Sequence, residues 1–361
     1  MGLTFTLTDN EIPPSPIFIE FLNSFFKDEP YHVGQWYLQE EEGLSNNDQR
    51  FNDIRDKVKY VMSLEQGTQA LLRSYRLFKE MLTGRPDNLK TISRFRFFFI
   101  IGIPRTGGTY LTKQIFRACN IDYNKVQNAL AHDGFPHLAH LSFQGESNIH
   151  TNSLLQLAEY LTMVELYYMK YGKLAFQGGV VVPKKFTKSV YNFSIIKELF
   201  GSNSNYIITL RHPLTMIQSI LDKSGNMPDN NKFQSRSAIE KWALDNMVNN
   251  GFKEQEVIGK MDYVDVLLNY WQNYHYQMAL AGIPNMPTTD IVTFGVKSMT
   301  EYVSKLYDNF GVNIKPESFK TPSKTTFATV EHKKKADKII ANVNNLWSSL
   351  GMKFPADKLE I

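Results

Sequence analysis

The sequence predicts an α/β fold in which helices cover both faces of a parallel, doubly wound sheet. A continuous apolar run, Phe97–Ile103 (FFFIIGI), is typical of a strand buried on both sides. Further short apolar segments, Val180–Val182, Tyr206–Leu210 and Asp290–Phe294, alternate with helical segments, and this alternation favours a parallel sheet. With 361 residues and 42% hydrophobic content, the chain can form one large core.

The residues before the first strand predict helices. Ile17–Phe26 and Leu64–Leu82 carry apolar residues at helical spacing. We therefore expect residues 1–96 to form a mostly helical N-terminal extension packed on the core and residues 97–361 to form the α/β domain. Leu154–Tyr171 predicts an amphipathic helix whose tyrosines lie in the core.

Composition limits the classes of partner and compartment. Forty basic and 36 acidic side chains give a net charge of +4, which suits a local anionic ligand and not a nucleic-acid-coating surface. Cys119 is the one cysteine, so we expect a reducing compartment and no cysteine-rich metal site. The N-terminus lacks the pattern of a signal peptide, and the longest apolar run is short and interrupted by Arg96. We expect a cytoplasmic protein without membrane or nucleic-acid partners; the oligomeric state is left open.

The segment Pro104–Thr109 (PRTGGT) lies between the first predicted strand and a predicted helix at 109–118. In such a strand–loop–helix of the P-loop type, glycines let the backbone approach a ligand, and the helix N-terminus attracts an anion. Thr106 and Thr109 add hydroxyl donors, and Arg105 adds a planar fork of N–H donors. The segment predicts a phosphate site; the alternative is an ordinary glycine turn with a surface arginine.

A second polar element follows the strand Tyr206–Leu210. Arg211 ends that strand, Pro213 suits the first turn of a helix, and Ser219 lies eight residues after Arg211. Arg211 by charge and Ser219 by a hydroxyl can hold one phosphate together. The alternatives are a salt-bridging strand-end arginine and an ordinary helix serine.

Together these motifs resemble those of a known family. PRTGGTYL, which starts at Pro104, resembles the 5′-phosphosulfate loop of the sulfotransferases that use 3′-phosphoadenosine 5′-phosphosulfate (PAPS), although Gly108 replaces a hydroxyl residue. Arg211 with Ser219 is similar to that family's 3′-phosphate element. Weaker resemblance at Val182–Lys185 and at Asp290–Phe294 with its following helix extends the match over residues 97–315. The resemblance implies cofactor binding by Arg105, Thr106, Gly107, Gly108, Thr109, Tyr110, Arg211 and Ser219.

The resemblance also implies an activity, which is transfer of a sulfuryl group from PAPS to a hydroxyl or amine of a small molecule, with adenosine 3′,5′-bisphosphate as product. A secondary metabolite is among the candidate acceptors, and O- and N-sulfation both stay open. Arg105 stands where the family has a catalytic cation, and no metal is needed. By analogy with phosphoryl transfer, positioning and electrostatics would supply most of the catalysis.

The family takes its base from a loop near the sulfonate, and the segment after the first helix offers candidates. His132 is the first choice, because histidine titrates near neutral pH and Asp133 beside it can orient it or act as an acid–base group itself. His137 is the second choice. The alternative is that these histidines serve packing or lie in a loop without a role.

The acceptor site and the basic C-terminal residues are less specific. Tyr270–Tyr276 and Trp242 can contact an acceptor or adenine, although aromatic residues of this kind on a helix are more often core. Lys320, Lys324 and Lys333–Lys335 can fold over the 3′-phosphate, but they lack the family's arginine–lysine–glycine signature, so we expect a solvated tail.

Two rival functions stay open. A P-loop nucleotide-dependent phosphotransferase also uses a strand–glycine loop–helix, but its lysine immediately precedes a Ser or Thr, whereas Lys113 lies a helical turn too late. A nucleotide-binding module that has lost turnover would explain Gly108.

Overall fold

The computed structural model gives the structure of residues 5–7, 10–31, 47–83, 94–127, 129–131, 133, 147–187, 197, 200, 204–228, 230–249, 254–319 and 324–359. The α-helices of these ranges are α1 (Pro16–Lys27), α2 (Asn47–Ser63), α3 (Glu65–Thr83), α4 (Gly108–Ala118), α5 (Tyr123–Val126), α6 (Ser147–Tyr171), α7 (Pro213–Ser224), α8 (Ala238–Asn249), α9 (Gln255–Ile258), α10 (Tyr263–Leu280), α11 (Val296–Phe310) and α12 (Val330–Ser349). The strands are β1 (Phe5–Leu7), β2 (Asn10–Ile12), β3 (Phe95–Ile101), β4 (Ala175–Phe176), β5 (Gly179–Lys185), β6 (Ser204–Leu210) and β7 (Thr289–Thr293). None of the helices in these ranges combines the length and the apolar composition that a bilayer-spanning helix needs.

The chain divides into two compact units. The first comprises Met1–Phe98 and Ile115–Ser204, and the second comprises Phe99–Gln114 and Asn205–Ile361. Strand β3 and helix α4 contribute residues to both. The boundary near residue 96 stays a prediction, because a unit defined by contacts does not show where an independently folding domain begins.

The first unit contains a helical cluster in which α3 and α1 both contact α6. Ser15 caps α1, and its side-chain oxygen accepts a hydrogen bond from the N–H of Phe18. Glu159 on α6 accepts hydrogen bonds from both the backbone N–H and the hydroxyl of Ser15, at 2.7 and 2.5 Å. Arg73 on α3 forms a two-point ion pair with Glu165 on α6. These polar contacts fix the packing of α1 and α3 on α6.

Helix α6 differs from the amphipathic helix that the sequence predicts. It begins at Ser147, and nearly every residue from 155 to 168 is buried, including the polar residues Glu159 and Thr162. The cause is that α1 and α3 both pack against it, so it has no broad solvent face. The prediction that its tyrosines lie in the core is confirmed for Tyr160, Tyr167 and Tyr168, whereas Tyr171 at the end of the helix is half-buried.

The main sheet has five strands in the order β4-β5-β3-β6-β7 and is mostly parallel. Strand β7 pairs parallel to β6, with Tyr206 opposite Thr289 and Leu210 opposite Thr293. At the other edge, β4 pairs antiparallel to β5 through a tight turn. The α/β fold class is therefore confirmed, and the expected parallel sheet carries one antiparallel strand at its edge. A two-residue strand such as β4 has no periodicity from which it can be predicted.

Strands β3 and β6 are neighbours in the middle of this sheet. All but one residue of each strand is buried, as expected for the apolar runs that predicted them. Each strand leads through a short loop into a helix, β3 into α4 and β6 into α7. The two polar motifs of the sequence therefore lie at the ends of adjacent central strands.

In the second unit, the C-terminal region forms a packed helix. Helix α12 begins with a capping box between Thr329 and His332 and contacts α10. Its residues Ala336, Val343 and Trp347 are buried. Lys324, Lys333 and Lys334 are exposed, in agreement with the expectation that these lysines are solvated, whereas the helix that carries the last two packs through an apolar face. Lys320 lies outside the described residues.

Candidate functional site

The loop after β3 adopts a tight, left-handed path. Arg105 has a φ of 72° and Gly107 a φ of 95°. A Cβ on Gly107 would also come within 2.7 Å of the Met299 side chain. Arg105 is the non-glycine residue in the left-handed region here, a strained conformation that the surrounding structure must stabilise.

Thr106 anchors this loop to the sheet. Its hydroxyl donates to the carbonyl of Ile103 at 2.8 Å and shares a hydrogen bond of 2.7 Å with the hydroxyl of Thr209. A Cβ on Gly102 would lie 2.0 Å from the Thr209 hydroxyl, so only glycine allows this approach. Thr106 is buried, and its hydroxyl therefore serves the loop rather than the predicted ligand contact.

Helix α4 starts at Gly108, directly after the left-handed turn. Its first-turn N–H groups have no carbonyl within the helix to pair with, and Thr109 is exposed beside them. Tyr110 is turned to another partner, since its hydroxyl donates to the carbonyl of Glu317 and its ring packs edge-on against Phe319. The helix start can bind an anion through Gly108 and Thr109, whereas the hydroxyl of Tyr110 is engaged elsewhere.

The second loop is set by His212 and Pro213, which begin α7. His212 is its N-cap, and its Nδ1 accepts a hydrogen bond from the N–H of Leu214. Burial lowers the pKa of His212 to about 4, so the imidazole is neutral and acts as an acceptor. This cap orients α7 so that Arg211 lies just before its first turn.

Arg211 is buried and held from three directions. Its Nη1 donates to the carbonyl of Arg105 at 2.8 Å, and its Nε donates to the hydroxyl of Thr215 at 3.1 Å. Its guanidinium carbon lies 3.8 Å from the centroid of the Phe294 ring. Burial is the main cause that lowers the pKa of Arg211 to about 10; the charge of Arg105 acts in the same direction, and that of Asp222 in the opposite one.

The two loops meet directly. Besides the contact between Arg211 and the Arg105 carbonyl, the Nε of Arg105 donates to the hydroxyl oxygen of Ser219 at 2.9 Å. Ser219 lies one and a half turns into α7, on the face that returns toward Arg211. The structure therefore brings together Arg105, Arg211 and Ser219, three residues that the two sequence motifs singled out separately.

The meeting point carries concentrated positive charge. Among the described residues, no carboxylate forms an ion pair with the guanidinium of Arg105 or Arg211. Each guanidinium has five N–H donors, of which Arg105 uses one and Arg211 two within the described part of the chain. The remaining donors, together with the start of α4, suit an anionic ligand with more than one charged group.

The predicted base candidates are placed only in part. His132 and His137 lie outside the described residues. Asp133 is buried, forms an ion pair with Lys185 at 3.5 Å and accepts a hydrogen bond from the N–H of Thr187. Burial acts to raise the pKa of Asp133, but Lys185 and Thr187 outweigh it and hold that pKa below its usual value. Asp133 is therefore an ionised partner in a structural ion pair and a poor proton acceptor.

Lys184 is a buried cation that the sequence did not single out as a site residue. Its ammonium group lies 4.8 Å above the Tyr160 ring and donates to the carbonyl of Leu130. Burial lowers the pKa of Lys184 to about 7. The one sequence signal was its position after Pro183 at the end of an apolar run, which does not predict burial of a charge.

The aromatic segment Tyr270–Tyr276 contributes to the core, which is the reading that the sequence favoured over an acceptor contact. Tyr270, Trp271, Tyr274 and His275 on α10 are all buried, and the indole N–H of Trp271 donates to the carbonyl of Arg211. Trp242 on α8 is half-buried. A cavity of about 390 Å³ lies elsewhere, and it is lined by Asn226, Met227, Pro228, Asn230, Gln234 and Arg236. In the described ranges, no group of three His, Cys, Asp or Glu side chains is arranged to hold a metal.

Comparison with solved structures finds sulfotransferases among the structural neighbours of this chain. A sulfotransferase domain from the curacin biosynthetic pathway matches at a TM-score of 0.34 and 14% identity, covering 72% of this chain and 98% of its own. A sulfotransferase from Alicyclobacillus acidocaldarius matches at 0.39 and 12%, covering 73% and 98%. One from Mycobacterium avium matches at 0.35 and 10%, covering 82% and 85%.

These neighbours are sulfotransferases, the family that the two motifs resemble. No protein-family model matches the chain, and no curated protein matches it by sequence. Because the TM-scores lie below 0.5, the proposed function rests on the geometry of the two loops and not on these matches.

Proposed function

We propose that this protein is a PAPS-dependent sulfotransferase that transfers a sulfuryl group to a hydroxyl or amine of a small-molecule acceptor. The observation that carries the proposal is the meeting of the two loops, with Arg105 bonded to Ser219 at 2.9 Å and Arg211 bonded to the Arg105 carbonyl at 2.8 Å. A ligand held there by both loops needs two anionic groups separated by a short spacer. The 3′-phosphate and 5′-phosphosulfate of PAPS meet that requirement.

The residues present fit such a donor in most respects. Arg211 and Ser219 would hold the 3′-phosphate, and Ser219 can donate its own proton because its oxygen accepts from Arg105. The N–H groups at the start of α4, with Thr109, would hold the 5′ end. The fit is weaker at Thr106, whose hydroxyl is engaged within the protein, and at Gly108, which has no hydroxyl.

Bound PAPS would supply the sulfuryl group, and the protein would supply orientation and charge. Arg105 would stabilise the negative charge that develops on the leaving phosphate oxygen, through the guanidinium donors that it does not use on Ser219. An arginine cannot release a proton in a protein, so its role is electrostatic. His132 and His137 stay the proposed bases that accept the acceptor's proton. The doubly wound P-loop arrangement and the cytoplasmic location likewise stay predictions.

Lys113 argues against the rival phosphotransferase. It forms an ion pair with Glu317 at 2.9 Å, so its charge is already neutralised away from the loop. We expect Lys113→Met to leave the affinity for adenosine 3′,5′-bisphosphate unchanged. A P-loop phosphotransferase that relied on this lysine would lose nucleotide binding in that variant.

Calorimetric titration of the full chain tests the donor. We expect adenosine 3′,5′-bisphosphate to bind without metal and more tightly than ATP with Mg²⁺. Tighter binding of Mg²⁺–ATP would instead favour the phosphotransferase. Mass spectrometry of small phenols, alcohols and amines incubated with PAPS then tests turnover. An added sulfuryl group supports the enzyme, whereas bisphosphate binding without any transfer across that acceptor panel supports the inactive nucleotide-binding module.

A further inference from the structure

The ring of Phe294 lies directly against the guanidinium of Arg211, with the guanidinium carbon 3.8 Å from the ring centroid. Phe294 follows β7, and its backbone N–H donates to the carbonyl of Leu210, the residue before Arg211, at 2.7 Å. The ring and the arginine are thus tied to each other through the backbone as well as through their side chains. This contact fixes where the face of the guanidinium lies.

A second aromatic ring supports Phe294 from another side. Phe319 packs against it at a centroid distance of 5.0 Å and an interplanar angle of 76°, and Phe319 in turn packs against Tyr110. Edge-to-face packing of this kind restricts the rotation of the Phe294 ring. The Phe294 ring therefore contacts Phe319 as well as Arg211, and these two contacts favour one orientation of the ring.

The three contacts of Arg211 leave a defined set of its donors for a ligand. Thr215 takes Nε, the Arg105 carbonyl takes one proton of Nη1, and Phe294 covers a face. No described residue takes the protons of Nη2 or the second proton of Nη1, and these protons lie in the plane of the group. A phosphate needs two such in-plane donors for a bidentate contact.

From this geometry we propose that Phe294 is a positioning residue that sets the preference for 3′-phosphorylated adenine nucleotides by holding the guanidinium of Arg211 in its bidentate orientation. This inference rests on the proposed function, because it takes Arg211 as the ligand of the 3′-phosphate. Phe294 would act through its contact with Arg211 and would not itself touch the 3′-phosphate of the nucleotide. It also explains why an aromatic side chain follows β7 at a point where the chain turns into α11.

The test is the affinity ratio between adenosine 3′,5′-bisphosphate and adenosine 5′-monophosphate, measured calorimetrically on the full chain. The second nucleotide lacks the group that Arg211 would bind, so a general loss of structure would weaken both nucleotides and leave the ratio unchanged. We expect Phe294→Leu to lower the ratio about tenfold, which corresponds to loss of a cation–π contact at a buried guanidinium. Phe294→Tyr keeps the ring and should keep the ratio.

Phe233→Leu is the matched control, because Phe233 is a buried phenylalanine of the same unit that stacks on Tyr263. We expect it to leave the ratio at the wild-type value. If Phe294→Leu does not fold, Phe294→Met carries the same expectation, since methionine fills the volume without an aromatic face.

The outcomes separate the inference from the function. A wild-type protein that prefers the bisphosphate, with the same ratio in Phe294→Leu, overturns the role of Phe294 and leaves the proposed function standing. A wild-type protein with no preference for the bisphosphate overturns both. A reduced ratio in Phe294→Leu and in Phe294→Tyr alike shows that the ratio does not depend on the presence of the aromatic ring, and it also overturns the inference.

Discussion

Replacing Arg105 by glycine tests how far the backbone strain at this position offsets the stabilising contact of the arginine side chain. Arg105 has a φ of 72°, and a side chain in this left-handed region costs about 1 kcal/mol relative to glycine. The guanidinium donates one hydrogen bond, to Ser219, and such a bond contributes about 0.5–1.5 kcal/mol to stability. Because these two effects nearly cancel, we expect the free energy of unfolding of Arg105→Gly to lie within about 1 kcal/mol of wild type.

Arg105→Ala is the matched variant, because it keeps the left-handed cost and loses the same hydrogen bond. We expect it to be about 1 kcal/mol less stable than Arg105→Gly. Both variants keep the carbonyl that accepts from Arg211, so the second loop should still bind adenosine 3′,5′-bisphosphate. Both should lose turnover with PAPS by about a hundredfold or more, since a charge-stabilising group is removed.

Denaturant unfolding gives the stabilities, and single-turnover kinetics with PAPS gives the catalytic loss. Equal stability of the glycine and alanine variants would refute the argument from backbone strain. Turnover within a few fold of wild type in either variant would refute the catalytic assignment of Arg105. Arg105→Lys completes the set, because it retains the charge without the planar fork of donors.

Three further substitutions test other parts of the structure. Burial raises the pKa of Glu159 to about 8 from its ordinary value of 4.5. Its contribution to stability is therefore full below about pH 4.5 and is lost as the pH rises through 8, a loss on the order of 5 kcal/mol. Glu159→Gln should remove this loss, and parallel stability–pH curves for the two proteins would contradict the argument. Gly107→Ala should destabilise by about 1 kcal/mol or more in urea, because the φ of 95° disfavours any side chain; unchanged stability would mean that the loop relaxes. Trp271→Phe leaves the buried carbonyl of Arg211 without its indole donor. It should lower the free energy of unfolding by about 1–3 kcal/mol and weaken the binding of adenosine 3′,5′-bisphosphate measured by calorimetry. Wild-type affinity would show that this carbonyl does not position Arg211.

The central strands and the two loops were predictable because their signals are local. A continuous apolar run ended by proline and glycine indicates β3 and its loop, and arginine before an X-Pro step indicates the end of β6. The meeting of the loops additionally requires the strand order that the structure provides, since residues that follow adjacent parallel strands lie at the same edge of a sheet. Local pattern and strand order together account for the contact between Arg105 and Ser219.

What could not be predicted depends on contacts between residues distant in the sequence. The Thr106 hydroxyl pairs with Thr209, 103 residues away, and this removes it from the ligand site. The burial of α6 depends on two other helices packing against it. The start of α12 was missed for a different, local reason: its capping box uses His332 where the usual one has Glu or Gln.

Under the proposed function, an arginine in the first loop is sufficient to stabilise the leaving phosphate, because that group needs a positive charge beside it and not a proton. A phosphate monoester loses its second proton near pH 6, so the departing group is stable as a dianion at neutral pH. Arg105, which cannot release a proton, supplies the charge. Arg211 adds a second fixed cation, and its guanidinium donates to the backbone carbonyl of Arg105, which ties the second loop to the first. The proton chemistry of the reaction then lies on the acceptor side alone.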